Sequence, residues 1–240
     1  MIDLQQGGKV SMIENELISK LIGVKENYQA PDKLMETLLD QHKREELFQK
    51  FLSYENDLSF DWFRKYFQEQ QADRTGAKQD FTPLALTTLV VRLSGKDAHT
   101  TLDPASGTGS ITITKWWHDS HQSSYRPQDY YYHLEELTEA AMPFLLFNCL
   151  IRGMNAVMIN GDTLTREARQ VYLLHNNAGK DSFSKLDVLP HVPQVEVTYD
   201  VRQWLADPID HLEFENWREI LPSNIEKIRL PIDQQTGLDL

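Results

Sequence analysis

A chain of 240 residues, 40% hydrophobic and 25% charged, is long and apolar enough to bury a sizeable core, so a folded protein is expected rather than a disordered one. Its formal net charge of −12 is poor electrostatics for gripping a phosphate backbone unaided. The single cysteine, Cys149, excludes an internal disulfide and a cysteine-based zinc site, and fits a reducing cytoplasm. The N-terminus has no basic region followed by an apolar core, so no secretory signal is read. The longest apolar stretch, residues 140–151, is interrupted by Pro143 and Asn148 and is too short to span a bilayer.

Taken in order, the chain opens loosely, with a short helix expected over residues 12–22. A longer helix follows from Pro31, with Leu34, Leu38, Leu39, Leu47, Phe48, Phe51 and Leu52 at helical spacing. Phe60, Phe63, Tyr66 and Phe67 make a second stripe that reads as core. These elements predict a small helical domain over residues 1–78, with polar residues 69–79 as its connection. A second domain, 79–240, opens on Gln79-Asp80-Phe81-Thr82-Pro83, where Thr82 suits an N-cap and Pro83 the first helical position. Leu84, Leu89, Val90 and Leu93 give the helix that follows an apolar face.

Strands and helices then alternate. Thr100–Leu102 leads as a strand into Asp103-Pro104-Ala105-Ser106-Gly107-Thr108-Gly109-Ser110, and an amphipathic helix follows. Tyr130–Tyr132 makes a second strand, ending at Glu135-Glu136. A helix spans 138–152, and Ala156–Ile159 makes a third strand ending at Asp162. This rhythm predicts an α/β fold with a mostly parallel sheet and helices on both faces. Further strands are expected at 171–174 and 195–199, a loop at 178–194, and a short helix between Trp204 and Trp217, broken near Pro208.

In an open parallel sheet, ligands bind at the carboxyl ends of the strands. Three ends here carry distinctive residues: the glycine loop, Glu135 and Asp162. Glu135 lies about one crossover past the loop, where an acid accepts hydrogen bonds from ribose hydroxyls, and Asp162 is placed to meet an adenine edge. Thr112 stands where a dinucleotide fingerprint needs its third glycine, and no Gly-Lys-Ser/Thr follows the loop. An acidic pocket suits a ligand without phosphates. S-adenosylmethionine, with a sulfonium, an ammonium and one carboxylate, matches it better than NAD.

Gln-Asp-Phe-Thr-Pro, Leu-Asp-Pro-Ala-Ser-Gly-Thr-Gly-Ser, Tyr-His-Leu-Glu-Glu-Leu and Ile-Asn-Gly-Asp-Thr-Leu, in this order, resemble the N6-adenine DNA methyltransferases, most of all the modification subunit of type I restriction systems. The resemblance covers residues 79–165. It implies a Rossmann-like class I S-adenosylmethionine-dependent methyltransferase fold preceded by a small helical domain. It also implies Phe81, Thr82 and Pro83 on the methionine part of the cofactor. Asp103, Pro104, Ser106, Gly107 and Gly109 would form the cofactor loop, Glu135 would hold the ribose, and Asp162 the adenine with Thr163 beside it.

The family's catalytic Asn-Pro-Pro-aromatic element has no counterpart, because the chain contains no Pro-Pro dipeptide. The nearest candidates are Asn176 and Asn177, which follow an apolar strand and also read as an ordinary loop-forming pair. Fewer than eighty residues follow Asp162, little room for a target-recognition domain. DNA would then be read through a separate specificity or partner subunit. Two functions remain open at this point: an adenine methyltransferase with a divergent catalytic loop, and a non-catalytic cofactor-binding module acting through a partner.

Overall fold

The computed structural model describes residues 13–75, 87, 89–91, 98–214 and 216–220. Helix α1 (Asn15–Ile22) is followed by α2 (Ala30–Leu38), α3 (Gln41–Tyr54) and α4 (Arg64–Thr75). The single long helix expected from Pro31 is broken at Leu39–Asp40, where the Asp40 carboxylate accepts the backbone N–H of Lys43 and starts α3. The connection expected from residue 69 is helical as far as Thr75. In the helix expected ahead of the glycine loop, among the described residues Thr87 and Val91 are buried, one turn apart, while Leu89 and Val90 are exposed. The remainder of that element, with Phe81, Thr82 and Pro83, lies outside the described residues.

Strand β1 (Thr100–Asp103), helix α5 (Ser110–Ser120), strand β2 (Tyr131–Glu136), helix α6 (Met142–Ile151) and strand β3 (Ala156–Asp162) follow the predicted alternation. The three strands pair in parallel, in the order β1-β2-β3. Beyond Asp162 the pattern changes. Strand β4 (Glu167–His175) folds back antiparallel to β3, and β5 (Lys185–Val188) is antiparallel to β4. The loop expected at 178–194 therefore contains a strand, with Leu186 and Val188 turned to the core and Asp187 between them. The strand expected at 195–199 is helix α7 (Pro193–Tyr199). Pro193 opens it, and Val195 and Tyr199 are buried one turn apart. The helix expected between Trp204 and Trp217 is absent from the described residues there. Trp204 closes the short strand β6 (Gln203–Trp204), paired with β4, and Trp217 opens α8 (Trp217–Ile220). Among the described residues no helix is long and apolar enough to cross a membrane.

Helices cover both faces of the sheet. Tyr132, Leu134, Met158 and Tyr172 point to the side of α5, α6 and the N-terminal helices, whereas Val157, Ile159, Val171 and Leu173 meet α7 and Trp217. Helix α6 is buried on every side. Its Phe147 ring lies 4.8 Å from Phe48, 4.8 Å from Phe51 and 4.9 Å from Phe63. The helices before residue 78 and the sheet after it thus bury one shared core.

A charged pair pins the other end of the chain to this core. Arg44 on α3 meets Glu213 at 2.7 and 2.9 Å, and both side chains are buried. Burial raises the Glu213 carboxyl. The His211 hydrogen bond and the Arg44 guanidinium outweigh that and hold it at about 2. Arg44→Ala leaves a buried carboxylate without its cation and is expected to cost about 3–5 kcal/mol in chemical denaturation. Because the unfolded chain protonates first, the stability due to Glu213 is expected to be complete above pH ~4.5 and to disappear as pH falls to ~2. A pH series of wild type against Glu213→Gln reads this difference directly.

Candidate functional site

The sheet's three parallel strands end together, and the glycine loop wraps that end. Gly107 and Gly109 take φ values of 56° and 98°, a left-handed backbone that side chains with a Cβ resist. At Gly109 a Cβ would also stand 2.9 Å from the Leu145 side chain. The turn is closed by Gly109 N–H on the Ser106 carbonyl at 2.8 Å and by the Ser106 hydroxyl on the Asp103 carbonyl at 3.0 Å. Its neighbours hold it too. Ser106 N–H donates to the Glu135 carbonyl at 3.0 Å, and the Thr163 hydroxyl to the Pro104 carbonyl at 2.9 Å.

These contacts enclose a cavity of about 380 Å³ whose lining includes Gly107, Thr108, Glu136, Asp162, Thr163 and Arg64. That size falls among small-molecule sites, roughly 300–1,000 Å³. Glu136 is its fixed acid. One carboxylate oxygen accepts Gly107 N–H at 2.8 Å and the other Thr138 N–H at 2.7 Å. Asp162 uses Oδ1 to accept Leu164 N–H at 2.7 Å and Thr165 N–H at 3.2 Å, which turns the chain back toward β4. Asp103 lies beneath the loop rather than on the lining, accepting from Ala105 N–H and the Thr112 hydroxyl. Burial raises its carboxyl above the ordinary range.

Glu135 points the other way. Successive strand residues face opposite sides, so Tyr132, Leu134 and Glu136 share one face while His133 and Glu135 share the other. Glu135 meets Arg166 at 2.8 Å and His133 Nε2 at 3.0 Å. Burial raises its carboxyl, but the His133 hydrogen bond and Arg166 outweigh it and hold it at about 2. Of the adjacent acids, then, Glu136 lines the cavity and Glu135 is spent on an internal ion pair.

Two residues of the helical unit contribute to the site, Asp61 by holding the loop and Arg64 on the cavity wall, and neither carried a local signal in the sequence. Asp61 accepts the hydroxyls of Thr108 at 2.5 Å and Ser110 at 2.8 Å, together with the Asn148 amide at 2.8 Å and Phe63 N–H at 2.9 Å. Arg64, three positions on, reaches the cavity wall. Buried Arg152 braces the junction by donating to the carbonyls of Leu58 and Phe60 and to Asn148 Oδ1. Burial lowers its guanidinium to about 10.

Asn176 and Asn177 are not at this end. Because β4 runs against β3, its last residues lie beside the first residues of β3, with Ala156 opposite Leu174. Asn176 exchanges hydrogen bonds with Asn155 there. Its amide nitrogen donates to the carbonyls of Gly153, Gly179 and Ser182, and its oxygen accepts from Ala178 and Gly179. Asn177 is exposed beside it. Asn176 is a loop staple at the far end of the sheet, away from the cavity.

The sequence model of N-6 DNA methylases matches residues 57–191, more than half of the chain. The chain belongs to the N-6 DNA methylase family. No curated protein and no solved structure matches it. In this methylase family member the matched span begins within the helical unit, so it takes in Asp61 and Arg64 along with the loop, Glu136 and Asp162.

Asp61→Ala strands two hydroxyls and an amide. It is expected to cost about 1.5–3 kcal/mol and to speed amide hydrogen exchange at Gly107 and Gly109. Gly109→Ala is expected to cost about 1–2 kcal/mol for its left-handed backbone, read by chemical denaturation.

Proposed function

We propose that the cavity binds S-adenosylmethionine and that the protein is an S-adenosylmethionine-binding, N6-adenine DNA methyltransferase-type protein of a restriction-modification system. The observation that carries the reading is Glu136, held by two backbone N–H groups at the shared carboxyl end of β1, β2 and β3. An ionised carboxylate only accepts, and two oxygens with about four lone-pair sites leave room for ribose hydroxyls after two N–H bonds. The order β3-β2-β1 is also half of a doubly wound, Rossmann-like sheet, whose ligands sit at that end. In this arrangement Glu136, rather than its neighbour, holds the ribose, Asp162 meets the adenine edge, and the backbone of residues 104–109 approaches the rest of the ligand. Phe81, Thr82 and Pro83 keep their proposed place near the methionine part. Bound there, the cofactor supplies a methyl group activated on sulfur.

Methyl transfer also needs a group that holds the adenine amino nitrogen in line. Among the described residues lining the cavity there is no asparagine and no aromatic ring. That favours a second reading, a cofactor-binding module that does not turn over by itself. Under either reading, the net charge of −12 supports DNA recognition through a partner subunit. One buried cysteine fits a reducing cytoplasm.

Calorimetry with S-adenosylhomocysteine tests the pocket. Wild type is expected to bind, Glu136→Gln to weaken binding roughly tenfold or more, and Glu135→Gln to lower stability with far less effect on affinity. A wild-type protein that binds nothing would sink the proposal. Labelled S-adenosylmethionine with adenine-containing DNA then separates the two readings. Transfer that survives Asn176→Ala supports a methyltransferase with its base-holding group elsewhere, and binding without transfer supports the module.

A further inference from the structure

The proposed ligand brings a carboxylate into a cavity that already holds acids. Glu136 and Asp162 stand on its β2 and β3 sides. Helix α5, whose N-terminus would ordinarily welcome an anion, already has one. The Asp61 carboxylate sits on the hydroxyls of Thr108 and Ser110, on either side of Gly109, the N-cap of α5. A second carboxylate arriving at this helix end meets like-charge repulsion, and the helix dipole alone does not offset it. A cation is needed on the loop side of the cavity.

Arg64 is the one basic residue among the described residues that line the cavity. It is half-buried and opens α4, three positions after the residue that clamps Thr108 and Ser110. Asp61, three positions before it, is bound to Thr108 and Ser110 of the glycine loop, and Arg64 lines the same cavity as that loop. Resting on the cofactor reading above, we infer that Arg64 binds the carboxylate of the ligand's methionine moiety. A guanidinium presents a planar fork that pairs both oxygens of a carboxylate, which a lysine ammonium cannot do. The helical unit then acts on the ligand twice, clamping the loop through Asp61 and taking the amino-acid end through Arg64. The pocket discriminates accordingly: it selects adenosyl ligands that carry an amino-acid carboxylate over those that end at the thioether.

Calorimetry with two probes tests this, S-adenosylhomocysteine and 5′-methylthioadenosine, which lacks the amino-acid portion. Arg64→Gln is expected to weaken S-adenosylhomocysteine roughly 10- to 100-fold and to leave 5′-methylthioadenosine within about twofold of wild type. Arg64→Lys should fall between. Retained 5′-methylthioadenosine binding shows that the variant pocket is still folded. Equal weakening of both probes would mean that Arg64 only shapes the loop, and no change in either would mean that it touches nothing on the ligand. Each of those results overturns the inference. If wild type binds neither probe, the pocket reading fails instead.

Discussion

The Asp61 carboxylate is the interaction on which the candidate site depends. It belongs to the helical unit, yet two of its four donors are hydroxyls of the glycine loop and a third is the amide of Asn148 on α6. Asn148 uses its other amide hydrogen on the Thr108 carbonyl at 2.8 Å. Arg152, one turn on, holds both Asn148 and the backbone around Asp61. Loop, crossover helix and helical unit are therefore tied at one polar node beside the aromatic cluster around Phe147. A loop of small residues has little side-chain packing of its own to fix it. Here it is fixed from outside, by charge-assisted hydrogen bonds.

The neighbouring acids show how a strand divides labour. Residues 135 and 136 differ by no atom, and the pleat sends them to opposite faces. On one face lie the loop N–H groups, so Glu136 becomes an open-ended acceptor at the cavity. On the other, Arg166 closes on Glu135 while its own backbone takes a φ of 63°, and it also donates to the Tyr199 carbonyl. That pair ties β2 to α7 and the hairpin arm. The same side-chain chemistry thus serves recognition on one side and cohesion on the other.

The reversal after Asp162 shapes the rest. In a doubly wound sheet the fourth strand returns beside the first and places its last residues at the ligand end. Here the Asp162 turn sends β4 straight back along β3. The carboxyl end of β4 is carried to the opposite side of the sheet, and Asn176 with it. Its five hydrogen bonds with the surrounding backbone then make sense as a structural closure of the loop leading to β5.

What the sequence determined was what local spacing can encode. The alternation from Thr100 to Asp162, the turn forced by Gly107 and Gly109, and the burial of the Phe63–Tyr66–Phe67 stripe were all legible, because each depends on neighbours within a few positions. The match of apolar Leu186 and Val188 was legible in principle, but prolines on one side and glycine on the other masked it. Strand direction was not encoded locally: an apolar run such as 171–174 reads the same whether it lies parallel or antiparallel. Nor could spacing say which of Glu135 and Glu136 faces the loop, since that depends on which side the crossover helices pack. Asp61 and Arg64 lie in an aromatic run with no local signal, because the hydroxyls that Asp61 accepts and the rest of the cavity that Arg64 lines come forty or more positions later. Only the packing of α4 against α6, and of α6 against the sheet, brought Asp61 to the Thr108 and Ser110 hydroxyls and Arg64 to the cavity wall.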